Sequence, residues 1–373
     1  MRLIFYTFRD LIIRFIPKRI GNLLVKPGEF AFLVHPMDLL DFYKKYPFSK
    51  KIPKRILYFC CKHLWPIIIS EITGAKNKKN NEIKGYIIGC SMTAKQMLGN
   101  RKLAEKRVIQ AVKLSEKIGA KIIGLGALTS SVTQGGGSLL NKVKIAITNG
   151  NSYTAAITIE AIEKIKNLLR VRYGDLIIAI VGATGSIGKA VSVNLAKKKF
   201  KKLILIGKTI ESLKFLEEEI SKNTVVKTKF TNKINNIKEA DLVIVATSAI
   251  GAIIKKEYVK KGSIIYDITQ PRNVSPEILK EMPSLLVIDG GLVEASGINY
   301  NFDLGIPRQT MFACLAETII LASEGRFRDF STGDVTNNRI KEISSLANKY
   351  QYKLADFRGF GEIISLKTFR QIS

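Results

Sequence analysis

Cys314 is the side chain in this sequence with the clearest reason to do chemistry. It lies in PRQTMFACLAETIILA, residues 307–322. A cysteine thiolate accepts an acyl group from a thioester at little thermodynamic cost and leaves readily when a reduced adduct collapses, a role that serine fills poorly. Read as one helix, the segment sets Thr310 and Thr318 four residues to either side of Cys314, so the three share a face able to line a cleft. The pattern leaves the alternative open: a small core thiol among Phe312, Ala313 and Ala316. Cys60, Cys61 and Cys90, with the two histidines His35 and His63, form no C-x-x-C pair and no zinc-ligand spacing, so neither a disulfide framework nor a metal site is expected.

A second constellation is VGATGSIG, with Gly182, Gly185 and Gly188 between an apolar run and a helical one. Glycine there permits a tight turn and close backbone approach to a pyrophosphate, whose charge the helix N–H groups bind. Thr184, Ser186 and Ile187 complete this expected nucleotide loop. The next strand ends LIGKT, placing Lys208 and Thr209 where an Asp or Glu would hold an NAD ribose. A 2′-phosphate is accommodated instead, so NADPH is the expected cofactor. Thr247 and Ser248, in VATSAIGA, occupy the loop position that runs along such a cofactor. The Tyr-x-x-x-Lys pairs Tyr46/Lys50 and Tyr58/Lys62 precede the loop and read as coincidences.

These residues need a scaffold, and the centre of the chain supplies a legible one. Runs beginning DLIIAIV, KKLILIG, TVVKTKF, ADLVIVA, GSIIYDI and SLLVIDG alternate with helical patterns, giving six expected strands between Asp175 and Gly291. Upstream, GEFAFLVH, GYIIGCS and AKIIGLGAL read as strands and residues 100–119 as a long amphipathic helix. NSYTAAITIEAIEKIKNLL reads as a connecting helix capped by Asn151 or Ser152. The expected fold is α/β: a Rossmann-like doubly wound parallel sheet, a separate N-terminal α/β substrate domain, and C-terminal helices. The boundaries fall at a basic amphipathic segment 1–25, an acyl-substrate domain with its connecting helix at 26–160, the NADP-binding domain at 161–300, and helices carrying the cysteine at 301–373.

The 373 residues are 46% apolar, enough for sizeable cores, while 60 Lys and Arg against 31 Asp and Glu give a net charge of +29. Such a field favours acidic partners, although a lysine-biased composition accounts for part of it. No apolar run reaches the roughly 20 residues of a membrane span and no signal-peptide pattern is present, so a cytoplasmic protein with reduced thiols is expected. Membrane association is a further expectation. In residues 1–19, Ile4, Phe5, Phe8, Leu11, Ile12, Phe15 and Ile16 fall on one side of a helical wheel and Arg2, Arg9, Asp10 and Arg14 on the other, the pattern of a basic interfacial helix able to meet anionic lipid. Nucleic acid is not an expected partner.

RQTMFACLAETIILASEG, ITNGNSYTA, VGATGSIG and IDGGLVE, in this order, resemble the cyanobacterial long-chain acyl-[acyl-carrier-protein] reductase family, the similarity running from Phe30 to Phe357. The resemblance implies that Cys314 accepts a fatty acyl chain as a thioester, that NADPH reduces it to a fatty aldehyde without a metal, and that the acyl donor is an acidic acyl-carrier protein or acyl-CoA. It brings His35, Glu294 and Gln309 forward as substrate-side residues. Ala295 stands where the family carries a histidine, so any proton-transfer role of that histidine is absent here. Two other readings compete: a shikimate-dehydrogenase-like NADP oxidoreductase of a small polar substrate, and a non-catalytic NADP-binding sensor or scaffold.

Overall fold

The computed structural model describes residues 2–249 and 251–372. They divide into two compact units. Residues 1–150, 295–334 and 345–351 form the first; residues 151–294, 335–344 and 352–373 form the second.

The first unit opens with helices α1 (Arg2–Phe15) and α2 (Lys18–Leu24), and contains strands β1 (Phe30–Val34), β2 (Ile67–Lys76), β3 (Glu82–Gly89), β4 (Ile122–Leu125) and β5 (Ala146–Thr148). Helices α3 (Leu39–Lys45), α4 (Lys54–His63), α5 (Ala94–Gly99), α6 (Arg101–Lys117) and α7 (Leu128–Val132) connect them. The sheet order is β2-β3-β1-β4-β5, with β2 antiparallel to β3 and the remaining pairs parallel. FAFLV and IIGL make the central strands because both sheet faces are covered, which demands unbroken apolar runs rather than alternation. α6 covers one face with Ala104, Val108, Ala111 and Val112, all buried. Two strands had no clear sequence signal. β2 is broken by register shifts between Ile68 and Ser70 and between Ile72 and Ala75, which erase period-two alternation, and β5 is three residues long.

In the second unit, β6 (Ile177–Val181), β7 (Lys202–Ile206), β8 (Thr228–Thr231), β9 (Leu242–Val245), β10 (Ile264–Asp267) and β11 (Leu286–Asp289) form an all-parallel sheet ordered β11-β10-β9-β6-β7-β8. All six are the strands expected from sequence. The order reverses between β6 and β9, so the sheet is doubly wound and its ligand crevice lies beyond the carboxyl ends of these two strands. Helices α8 (Asn151–Leu169), α9 (Ser186–Ala196), α10 (Ile210–Ser221) and α11 (Glu277–Glu281) belong here, as does a short antiparallel pair of β12 (Leu292–Glu294) and β14 (Lys353–Leu354).

The C-terminal helices do not stand apart as a segment of their own. Strand β13 (Thr310–Phe312) and helix α12 (Ala313–Glu324) belong to the first unit, where α12 packs on β1 and β4, while α13 (Asn337–Lys349) is shared between the two divisions. The long helix α8 falls in the second unit rather than with the N-terminal sheet. Thr310 is also off the helical face expected for it: it sits in β13, and its hydroxyl donates to the Pro307 carbonyl at 2.7 Å.

The N-terminal helix forms, but with an orientation opposite to the simple one. Asp10, expected outside, is 1% exposed because its carboxylate accepts the Ile68 N–H at 2.7 Å, next to the β2 irregularity, and pairs with Arg9 at 2.7 Å. Phe8, Ile12 and Phe15 are the exposed residues among those of the helix whose side chains are described. The side chains of Arg2, Ile4 and Phe5 lie outside the described residues.

Candidate active site and dinucleotide site

Cys314 is the second residue of α12, and two glycines let that helix press onto the first unit's sheet. A Cβ on Gly124 of β4 would lie 2.0 Å from the Thr318 hydroxyl, and one on Gly150 would lie 2.2 Å from both Cα and Cβ of Cys314. Gly150 also has φ +76°, a backbone region that suits glycine. The segment ITNG, which spans the end of β5, is therefore in direct contact with the cysteine through Gly150. That segment is held from three sides. The Asn149 amide donates to the Gly135 carbonyl at 3.0 Å, the Phe330 N–H to the Ile147 carbonyl at 3.1 Å, and the Asn149 N–H to the Ser331 carbonyl at 3.3 Å. The Thr148 hydroxyl donates to Glu317 in a short hydrogen bond, with both residues fully buried. Glu317 lies three residues after Cys314, so this bond ties the first turns of α12 to the end of β5.

Cys314 is half-buried, unlike Cys61 and Cys90, which are 0% exposed. Burial pushes its thiol up to about 12, and the Glu317 carboxylate adds to the rise, while N–H groups of Leu315 and Cys314 itself act in the opposite direction. The resting sulfur is thus protonated at neutral pH, with helix N–H groups already facing it. Thr318 does not line a cleft with Cys314. It is 0% exposed, and its hydroxyl donates to the Cys314 carbonyl at 3.2 Å.

His35 is a buried, neutral tether. Nδ1 donates to the Pro36 carbonyl at 3.0 Å and Nε2 accepts the Leu128 N–H at 3.2 Å, while burial lowers its pKa to about 4. Both ring nitrogens are used to fix the turn between β4 and α7, where Ala127 has φ +48°. Glu294, at the end of β12, pairs with Lys353 at 2.8 Å. Gln309 is exposed with φ +63°, and its carbonyl accepts the Ala295 N–H at 2.9 Å. Ala295 is 5% exposed, a site already filled by a methyl group.

In the second unit the glycine loop has the form a dinucleotide requires. Gly182 has φ +85°, and a Cβ on it would lie 2.4 Å from the Ala246 carbonyl oxygen; a Cβ on Gly188 would lie 2.1 Å from that of Gly182. Only glycine fits either position. Gly185 differs: its nearest obstacle is the Gly182 carbonyl at 3.3 Å, and it is exposed at the N-terminus of α9, so a phosphate can approach the helix N–H groups there. Ala183 and Gly182 both donate to the Ile206 carbonyl, at 3.0 and 2.8 Å, which pins the loop to β7. Thr184 faces Gly207, while Lys208 and Thr209 are exposed beyond the strand end, as are Ser186 and Ile187 in part. Thr247 and the exposed Ser248 follow β9, and Thr247 Oγ1 accepts the Ala249 N–H at 3.3 Å.

Two supports of these sites were not singled out from sequence. Thr148 had no signal beyond its place next to Asn149 and Gly150. Asn273 is fully buried and donates from its amide to the Ala249 carbonyl at 3.0 Å, while its N–H donates to Asp267 at 2.8 Å, fixing the loop after β9.

The strand order and glycine cradle define the second unit as an NAD(P)-binding domain, and residues 166–289 match the family model described as shikimate / quinate 5-dehydrogenase. The second unit thus carries a nucleotide-binding domain of the type found in NAD(P)-dependent oxidoreductases. The curated proteins similar to the chain include three with the following matches. The aminotransferase PigE of Serratia sp. is 27% identical over 77% of this chain, which spans only 35% of that longer protein. The long-chain acyl-[acyl-carrier-protein] reductase of Synechococcus elongatus is 28% identical over 77% of this chain and 87% of its own length. The glutamyl-tRNA reductase of Caldivirga maquilingensis is 33% identical over 32% of this chain and 28% of its own. No helix among the described residues is long and apolar enough to cross a membrane.

Proposed function

We propose that this chain is an NADPH-dependent reductase that takes a long-chain acyl group from a carrier thioester onto Cys314 and releases it as a fatty aldehyde. The observation that carries this reading is the seat of Cys314: a half-buried thiol at the first turn of α12, in contact with Gly150, in a chain that also bears a dinucleotide loop. Two of the similar proteins are named as reductases of a carrier-bound acyl group, one on a protein and one on tRNA. The shikimate-type match covers the cofactor-binding residues and so bears on the nucleotide rather than on the substrate.

In this mechanism Cys314 Sγ attacks the thioester carbonyl, gives up its proton as the carrier thiol leaves, and becomes acylated. The Cys314 and Leu315 N–H groups facing the sulfur stabilise charge on it as it ionises. Gly182, Thr184, Gly185, Ser186, Ile187 and Gly188 would hold NADPH, Lys208 and Thr209 would receive its 2′-phosphate and Thr247 and Ser248 would border it; the bound cofactor would supply a hydride to the acyl carbon. The reduced acyl group would stay on Sγ as a hemithioacetal until aldehyde departs, leaving a thiolate that the helix N–H groups stabilise until it takes a proton from solvent. His35 holds the Leu128 turn rather than moving a proton. The net charge of +29 favours an acidic carrier protein, with acyl-CoA as a second donor.

The test is aldehyde formation from a long-chain acyl-carrier thioester, followed with NADPH and with NADH. Wild type should form aldehyde with NADPH preferred, and Cys314→Ala should lose about a thousandfold or more. Retained aldehyde formation in the alanine variant, or oxidation of shikimate or quinate without acyl reduction, would move the function to the small-substrate reading.

A further inference from the structure

The first unit carries an apolar surface that its own fold leaves uncovered. α1 has a clear amphipathic pattern, yet its docking is inverted: Asp10 and Ile13 are each 1% exposed, whereas Phe8 is 61% exposed and Phe15 75%. The inversion is built in, since Asp10 satisfies the Ile68 N–H and Ile13 packs against Gly21 of α2. α2 extends the surface with Leu23, 85% exposed, and α4 and the turn after it add Phe59 and Trp65.

These elements are contiguous. The Arg14 guanidinium lies 3.9 Å from the Trp65 ring centre, and Arg107 lies 5.7 Å from it while donating to the His63 carbonyl at 2.8 Å. The His63 ring in turn packs on Phe59, with centres 4.5 Å apart.

Charge decides what covers this surface. Residues 11–28 and 42–70, which supply most of it, contain Arg14, Lys18, Arg19, Lys26, Lys44, Lys45, Lys50, Lys51, Lys54, Arg55 and Lys62, and no Asp or Glu. We propose that this face of α1, α2 and α4 seats the protein on an anionic lipid bilayer, with the apolar side chains in the acyl boundary and the lysines and arginines at the headgroups. Bulky apolar residues projecting from three helices suit a fluid layer, which needs no shape match, better than the charged surface of a compact acidic protein. Trp65, partly exposed at this surface, is of a residue type enriched at the membrane–water boundary. The inference is independent of the reaction at Cys314.

Trp65 is the chain's only tryptophan, so its fluorescence reports this surface directly. The full chain is mixed with vesicles of phosphatidylcholine alone, or with 30% phosphatidylserine, each with and without brominated acyl chains. The expected result is co-sedimentation with the anionic vesicles, a blue shift of Trp65 and quenching by bromine. Ile12→Asp combined with Phe15→Asp should weaken binding at least tenfold while leaving the thermal melt unchanged. No binding to anionic vesicles at low salt overturns the proposal. So does binding in which Trp65 is neither shifted nor quenched, or a Trp65 shift given by an acidic carrier protein and by no vesicle.

Discussion

At the scale of single residues, the state of the Cys314 thiol sets the reaction's starting point. An ordinary thiol ionises near pH 8.5, but burial and Glu317 push this one up to about 12. The folded state therefore keeps a proton that the unfolded chain releases, so stability is lost as pH rises above about 8.5 toward 12. Alkylation should show the same shift. The iodoacetamide rate at Cys314, taken as wild type minus Cys314→Ala, should be slow at pH 7 and still climbing at pH 10. A plateau below pH 8 would mean a preformed thiolate and would contradict the packing described for α12. In the proposed reaction the proton therefore leaves during attack on the thioester, where N–H groups of the first helical turn face the sulfur.

At the scale of elements, the decisive fit is between the turn after β5 and the start of α12. Gly150→Ala adds a methyl that would sit 2.2 Å from the Cys314 backbone at a residue with φ +76°. The combined strain should cost about 2–4 kcal/mol, seen as a lowered thermal midpoint, and should displace Cys314 enough to impair acyl transfer. An unchanged midpoint would mean that the two segments do not meet as described. The parallel sheet of the second unit was legible because all its strands but β8 are short apolar runs rich in Ile, Val and Leu, and the glycine loop because each of its glycines has a local cause. The first unit was less so. The bulges of β2, the brevity of β5 and the buried Asp10 are consequences of long-range pairing, to which local periodicity is blind. Cys314 itself stood out in sequence, but its neighbours Thr148 and Gly150 come from a segment more than 160 residues away, and Thr310 was wrongly assigned to its face because β13 interrupts the helical pattern.

At the scale of the whole molecule, a dinucleotide-binding unit and a thiol-bearing unit are encoded in one strongly basic chain, and the proposed reaction needs both: the thiol to hold the acyl group and the nucleotide to reduce it. The most direct test is intact mass spectrometry of the full chain after incubation with a long-chain acyl-carrier thioester in the absence of NADPH. Wild type should gain the mass of one fatty acyl group, Cys314→Ala should gain none, and adding NADPH should discharge the adduct with release of aldehyde. No adduct on wild type under conditions where the thioester is shown to bind, or an equal adduct on both proteins, would contradict the account and remove Cys314 from the chemistry.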